Sequence, residues 1–408
     1  MHVGLFAPAW PLRLFPNGIV TYVHAMREEL QQQGHRVTVF ASDVGEEAAG
    51  VHRLGGSLSF RALRWWRARA RSNYHAALDW GIGCAADVMS VHRRAPIDVI
   101  EMEESFGWFA DVARLTRIPT VVKLHGPAFM SLVGGEIETP FARARIDREG
   151  QALAGAPVIT SPARRTLDET LARYRLSPAV ARHVVNPLQL PRDAPLWRLE
   201  ACERRTLLFV GRFDARKGGD LVLRAFARLL DEDPALKLIF VGPDGGVPNE
   251  GGHTVRFEAF VAQCLPHHAD RVDYRGPLGP ADICALRAKA YATLVASRWE
   301  NQSYTALEAM LQGCPIVSSD AGGQPESVQH GITGLLAEAG SVDALCMQVR
   351  ALLRDPALAA KLGAQARAHV LHHHAPERVV RETLEVYEQA IGRSRRRERS
   401  SPAALHQA

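Results

Sequence analysis

Lysine is nearly missing from this chain. Of 49 basic residues in 408, only Lys123, Lys217, Lys237, Lys289 and Lys361 are lysines, and arginine supplies the rest. The bias reads as genome composition. A net charge of +5 spread over this length fits an anionic small ligand or an anionic surface and does not call for nucleic acid. Cysteine is also sparse: Cys84, Cys202, Cys264, Cys284, Cys314 and Cys346 are scattered and none forms a Cys-x-x-Cys pair. Buried free thiols in a reducing compartment are expected. No apolar run reaches membrane-spanning length. The opening MHVGLFAPAW lacks the charged start and the cleavage site of a secretory signal and reads as a first β-strand, so a cytoplasmic protein is expected. What is present is ordinary for a globular protein: 47% hydrophobic and 23% charged residues, in a length comfortable for two domains.

The first half alternates strand and helix. Strands are predicted at Val3–Pro8, Val37–Ser42, Val99–Glu103, Thr120–His125, Val158–Ser161 and His183–Asn186, with amphipathic stretches between them such as Ile19–Gln33, which stops at Gly34. Such alternation implies a parallel sheet covered on both faces, with ligands at the carboxyl ends of its strands. The segment 191–205, with Pro191 and Pro195, reads as a linker. Alternation then restarts with Leu207–Gly211, Gly218–Leu230 and Leu236–Val241. No sequence repeat relates the halves. The domains expected are 1–190 and 206–375, with a last helix at 376–391 packing back onto the first domain and a basic, disordered tail at 393–408.

Three places carry chemistry. The run Ala296–Gly334 holds Glu300 and Glu308, eight positions apart. Glu300 ends a loop after the apolar run Ala292–Ala296. Glu308 lies in a segment where Tyr304, Leu307 and Leu311 recur at helical spacing. A buried strand, a turn and a helix start at Asn301, Gln302, Ser303, Tyr304 and Thr305 would form an anion site. Second, Gly211 ends a strand, Arg212 follows it, and Lys217 and Gly218 open a helix. Gly211 allows close approach of backbone, Arg212 offers a fork for phosphate oxygens and Lys217 a point charge. An exposed basic turn would look the same in isolation. Third, in the first half, Gly18 lies between the first strand and the first helix, and His125-Gly-Pro127 follows a strand. A plain turn competes with ligand contact at Gly18, and the carboxyl end of a strand favours contact at His125.

With these residues in hand, the chain resembles the family-4 glycosyltransferases of the GT-B fold. The matching pieces are Asn17-Gly18, Gly34-His35-Arg36-Val37, His125-Gly126, Gly211-Arg212 with Lys217-Gly218, Glu300-x7-Glu308-Ala-Met, Gly313-x-Pro315-Ile-Val and Gly322-Gly-x-Pro-Glu326. The resemblance reaches from the N-terminus to about Ile391. It implies an α/β protein of two Rossmann-like, doubly wound parallel-sheet domains facing a cleft. It further implies a retaining, metal-independent transfer of a sugar from a nucleotide diphosphate to an acceptor, with no cofactor. By analogy Arg212 and Lys217 neutralise the leaving diphosphate, Glu300 holds sugar hydroxyls and Glu308 accepts from the ribose. Gly18 approaches the diphosphate from the other domain, and His125 lines the sugar end. The base is expected at the loop of Arg275 and Leu278. Where the family often has two glycines, this chain has Asn17-Gly18, and tolerance of positive φ by asparagine would preserve the loop. Breaking a glycosyl–phosphate bond places charge on the leaving group, which fixed cations stabilise. Two flanking carboxylates also suit glycoside hydrolysis, but one of these glutamates belongs at the nucleotide.

The acceptor is open: a lipid-linked glycan, a growing polysaccharide of a bacterial envelope, or a small natural product. A sugar-nucleotide epimerase or a non-transferring relative is the competing class. Asp231-Glu-Asp233 imitates a metal motif but precedes Pro234 in a helix-to-strand connection and reads as a solvated loop. His267-His268 and His372-His-His374 read as solvated turns. In 60–80, five arginines interleave with Trp65 and Trp66. A partly buried helix of the acceptor domain with solvated arginines is the preferred account of this pattern, and peripheral docking on an anionic membrane is the competing one.

Overall fold

The computed structural model describes residues 1–55, 80–132, 137–191, 193–249 and 251–399, with side chains to Arg396. The chain forms two compact units, Met1–Pro187 joined by the chain from Pro376, and Leu188–Ala375. The arginine-rich stretch 60–79, for which membrane docking was weighed, lies outside the described residues.

In the first unit the strands are β1 (His2–Trp10), β2 (Arg36–Val44), β3 (Val51–Arg53), β4 (Val99–Glu103), β5 (Thr120–Lys123), β6 (Val158–Ser161) and β7 (Val180–His183). They form a parallel sheet in the order β3-β2-β1-β4-β5-β6-β7. Val3 pairs with both Val37 and Val99, so β1 is central, and the order reverses between β1 and β4. Burial on both faces explains why β1, β2 and β4 are near-continuous apolar runs. The last predicted strand lies earlier than expected, at β7 rather than His183–Asn186. Its burial is only partial, as befits a sheet edge.

In the second unit the main strands are β8 (Glu203–Val210), β10 (Lys237–Val241), β13 (Val272–Gly276), β14 (Ala290–Val295), β15 (Ile316–Ser319) and β16 (Leu335–Ala337). Their order is β13-β10-β8-β14-β15-β16, again parallel, with the reversal between β8 and β14. A small sheet of β9 (Phe213–Asp214), β11 (Asp244–Pro248) and β12 (Thr254–Val255) flanks it. The core beneath is built from Leu207, Phe209, Phe240 and Leu294 of the sheet against Leu223, Phe226 and Leu230 of the helix Gly219–Leu230. Ligands in open parallel sheets bind at the order reversal, outside the strand carboxyl ends. In this unit that point is the space above Val210 and Val295.

The final helix runs Pro376–Arg399 and packs within the first unit on the helix Gly18–Gln32 and on β4, β5 and β7. The expectation of a disordered tail from 393 is therefore corrected as far as Arg399. Arginine is a good helix former, and a basic stretch can extend a helix already anchored by its apolar face. Residues 400–408 lie outside the described residues.

Candidate active site

The turn after β8 is organised by Asp214. Its Oδ1 accepts the Lys217 N–H at 2.7 Å, and its Oδ2 lies 2.6 Å from Arg212 Nε. Arg212 is thereby anchored through Nε while its side chain stays half exposed. Gly218 has φ +71°, and a Cβ there would lie 1.9 Å from the Ala296 carbonyl oxygen. Only glycine lets this turn seat against the end of β14. A parallel closeness occurs at Gly242, where φ is +141° and a Cβ would lie 2.0 Å from the Gly211 oxygen. Arg298 clamps the same junction, with Nη1 and Nη2 on the two oxygens of Asp220 at 2.8 and 2.7 Å and its N–H on the Arg216 oxygen.

This junction brings Lys217 to Glu300. Lys217 Nζ donates to Glu300 Oε1 at 2.5 Å, and Ser297 Oγ donates to the same oxygen at 2.8 Å. Burial pushes the Glu300 carboxyl upward, but Lys217, Arg216 and the two hydrogen bonds outweigh it, and the net shift is below the usual value. Glu300 is therefore ionised at neutral pH. An ammonium has three donors, so Lys217 can hold Glu300 and still meet a phosphate oxygen. Glu300 Oε2 accepts no hydrogen bond among the described residues.

Asn301, Gln302 and Ser303 are buried. Gln302 Nε2 donates to Ser327 Oγ at 3.3 Å, and Ser303 Oγ caps the helix Tyr304–Gln312 by accepting the Ala306 N–H. These side chains face the protein, so the segment offers a ligand chiefly backbone. The loop is held from behind: Gly323 N–H donates to the Glu300 oxygen, and Gly322, at φ +57°, passes too close to that oxygen for a Cβ. Tyr304 is partly buried, and burial together with Glu308 keeps its phenol protonated. Glu308 lies one turn on, its side chain 30% exposed, with Oε2 accepting from Arg287 Nη2 at 3.0 Å. Arg275 and Leu278 lie at the end of edge strand β13. Arg275 is exposed and pairs with Asp273 through Nε and Nη2, while Leu278 packs on Leu208, Val241 and Ala290.

Gly18 and His125 belong to the first unit. Gly18 is the first residue of its helix, and Asn17 is the cap: its Oδ1 accepts from Ile19 and Val20 N–H at 2.9 and 3.1 Å. Asn17 has φ −153°, so the expectation that it serves through positive φ is corrected; it serves as a helix cap. The His125 turn hangs on two buried glutamate side chains. Glu104 accepts the His125 and Gly126 N–H groups at 2.8 and 2.7 Å, and Glu149 accepts those of Ala128 and Phe106 at 2.8 and 3.1 Å. The turn thus keeps its amides for internal use, and the imidazole packs edge-on against Tyr22 with ring centroids 5.2 Å apart. Burial, then Lys123, pushes His125 down to about 3, so the ring is neutral.

Asp214, Arg298, Arg287, Glu104 and Glu149 were not legible as site residues. All but Asp214 act through a partner distant in sequence, such as Arg298 on Asp220 across 78 positions. The acidic decoys are internal ties: Asp233 accepts from Arg205 and Glu232 from Arg350. His374 is buried rather than solvated, and its carbonyl accepts the Leu188 N–H, which corrects the reading of that turn.

Twin parallel-sheet units, with a lysine–glutamate pair and a poised arginine where one sheet reverses order, define a GT-B type of α/β protein. Sucrose-phosphate synthase from Thermosynechococcus elongatus superposes with a TM-score of 0.75 at 19% identity, over 96% of this chain and 99% of that one. Anabaena HepE in complex with UDP-glucose superposes at 0.67 and 17%, over 94% and 99%. Two family models tile the sequence: glycosyltransferase family 4 over residues 16–190 and glycosyl transferases group 1 over 198–369. The chain belongs to the family-4 glycosyltransferases. D-inositol 3-phosphate glycosyltransferase of Streptomyces avermitilis is 30% identical over 303 residues, covering 72% of this chain. The match spans 65% of that relative's length.

Proposed function

We propose that this protein is a retaining glycosyltransferase that moves a sugar from a nucleotide diphosphate sugar to an acceptor. The observation that carries this reading is the Lys217–Glu300 pair beside the half-exposed Arg212, at the reversal point of the second sheet. As the glycosyl–phosphate bond breaks, negative charge grows on the diphosphate, and Arg212 and Lys217 are fixed to receive it. Glu300 Oε2 takes sugar hydroxyls, and Glu308 takes the ribose. Two side-chain cations supply the charge for which other enzymes use a metal. His125, held neutral, donates or accepts a hydrogen bond at the sugar. Retention at the anomeric carbon is taken from the family.

HepE bound to UDP-glucose makes a uridine donor the first to try, and the inositol-phosphate relatives make a polyol or glycan hydroxyl the acceptor class. A place in bacterial envelope polysaccharide or glycolipid synthesis, with peripheral contact at the inner membrane face, completes the proposal. A thermal-shift screen of UDP-, GDP-, ADP- and dTDP-sugars in EDTA tests it. One donor should shift the melting temperature, the shift should vanish in Glu308→Ala, and label from that donor should pass to an added acceptor. Donor isomerisation without transfer would make the protein an epimerase, and no shift with any donor would remove the reading.

A further inference from the structure

Arg287 is the largest fully buried side chain among the described residues, and it belongs to the helix Pro280–Lys289, not to any motif in the sequence. A guanidinium sealed from water is expensive unless its donors are used. Two of its three nitrogens are used: Nη1 donates to Gln312 Oε1 at 2.9 Å and Nη2 to Glu308 Oε2 at 3.0 Å, while the buried Nε has no partner among the described residues. Gln312 is itself fixed, its Nε2 donating to the carbonyls of Pro195 at 2.8 Å and Cys284 at 2.9 Å. The guanidinium thus sits in a rigid seat made by the linker segment and two helices.

The pair is asymmetric. Arg287 has no exposed surface, whereas the Glu308 side chain is 30% exposed. One carboxylate oxygen is turned inward to the arginine. The other, Oε1, accepts no hydrogen bond among the described residues. An ion pair that served only to join two helices could be replaced by well-packed apolar residues at no loss of stability. This one holds half a carboxylate in the interior and leaves the other half at the surface, on the helix that starts from the Glu300 loop. The planar fork also spans Gln312 and Glu308 at once, so the seat that holds Gln312 fixes the direction from which Glu308 is held.

We propose that Arg287 is a positioning residue for donor recognition. It orients Glu308 so that Oε1 faces the nucleotide and accepts a ribose hydroxyl, and so sets the preference for ribonucleotides over nucleotides lacking those hydroxyls. The proposal rests on the reading of Glu308 as the ribose contact, and the experiment separates the two.

Dissociation constants are measured by calorimetry for UDP, GDP and ADP and for their 2′,3′-dideoxy counterparts. The proteins are the full-length wild type, Arg287→Met, Arg287→Lys, Glu308→Ala and the double variant Arg287→Met/Glu308→Ala. The wild type should favour the ribonucleotide by about tenfold or more, the size of one hydrogen bond to a charged group. Glu308→Ala and Arg287→Met should each bring that ratio close to one, and the double variant should add nothing further. Arg287→Lys keeps the charge without the fork and should fall between. It also serves as the decisive variant if Arg287→Met does not fold. A ratio that stays at the wild-type value in folded Arg287 variants, but collapses in Glu308→Ala, overturns this inference alone. A ratio unchanged in Glu308→Ala, or a wild type that binds none of the three nucleotides, overturns the ribose reading and the inference with it.

Discussion

A chain that uses arginine almost everywhere keeps lysine at Lys217, where geometry favours a compact charge. The ammonium spends one donor on Glu300 and retains others, whereas a planar guanidinium would be committed by its fork. Lys217→Ala should therefore lower kcat by ~10²-fold or more, in the range of other lost charge-stabilising donors, while the donor dissociation constant changes much less. Steady-state kinetics beside calorimetry checks this, and undiminished turnover would remove the diphosphate role. Lys217→Arg should not restore the rate. Gly218 makes a second test. Its φ of +71° and its closeness to the Ala296 oxygen leave no room for a methyl group, so Gly218→Ala should destabilise the protein by at least ~1–3 kcal/mol, read from urea denaturation. It should also weaken turnover by moving Lys217 off Glu300. At this scale the sequence was informative where candidate residues lie in short spacings: Arg212, Lys217, Glu300 and Glu308 belong to motifs. It was silent on Arg287, which meets Glu308 across 21 positions, because nothing local tells a sealed arginine from a solvated one.

Elements were legible in proportion to their burial. Val99–Glu103 and Val158–Ser161 occur at the predicted bounds, since apolar runs ended by polar turns mark buried parallel strands. The short strands β3, β9, β11 and β12 were not anticipated. β3, β9 and β12 have only two or three residues and carry no period, and β11, Asp-Gly-Gly-Val-Pro, reads as a turn; their pairing is set by neighbours. The hairpin-like support of the His125 turn was equally hidden, because two glutamates read as solvated charge until the fold buries them. That support has a pH signature. Burial, then Glu149, pushes Glu104 up to about 8, against the hydrogen bond from His125 N–H. A raised carboxyl keeps its proton in the folded state after the unfolded chain has released it at the ordinary value near 4.5. The unfolded state then binds fewer protons, so stability falls as pH rises from about 5 to about 8. Glu104→Gln removes that titration. Its melting temperature should be flatter than the wild type's over this window, and an unaltered slope would show that another group is responsible.

For the whole molecule, the two units were legible as two runs of strand–helix alternation, and the division falls at Pro187, within a few residues of the expected boundary at 190. The extent of the last helix was not legible, because a basic stretch suggests solvent while its period continues unnoticed. This helix belongs to the first unit although its residues follow the second in the chain. Val379, Val380, Val386 and Tyr387 have no exposed surface, and Tyr387 lies near the buried Glu101 of β4. Removing the helix would open the apolar face of Gly18–Gln32 and expose the buried ionisable side chains of Glu101 and Lys123 to partial hydration. Burial of four such side chains is worth several kcal/mol, at ~1.5–3 each, which is comparable to the whole stability of a domain. A chain ended after Ala375 should therefore lose the calorimetric transition of the first unit. The second unit retains its own core and every residue assigned to the donor except Gly18 and His125. It should keep a separate transition that a nucleotide still raises and that Glu308→Ala renders insensitive to nucleotide, while transfer to an acceptor is lost. Two intact transitions in the shortened chain would show that the first sheet holds without its returning helix. Loss of both would show that the second unit depends on the first for its stability.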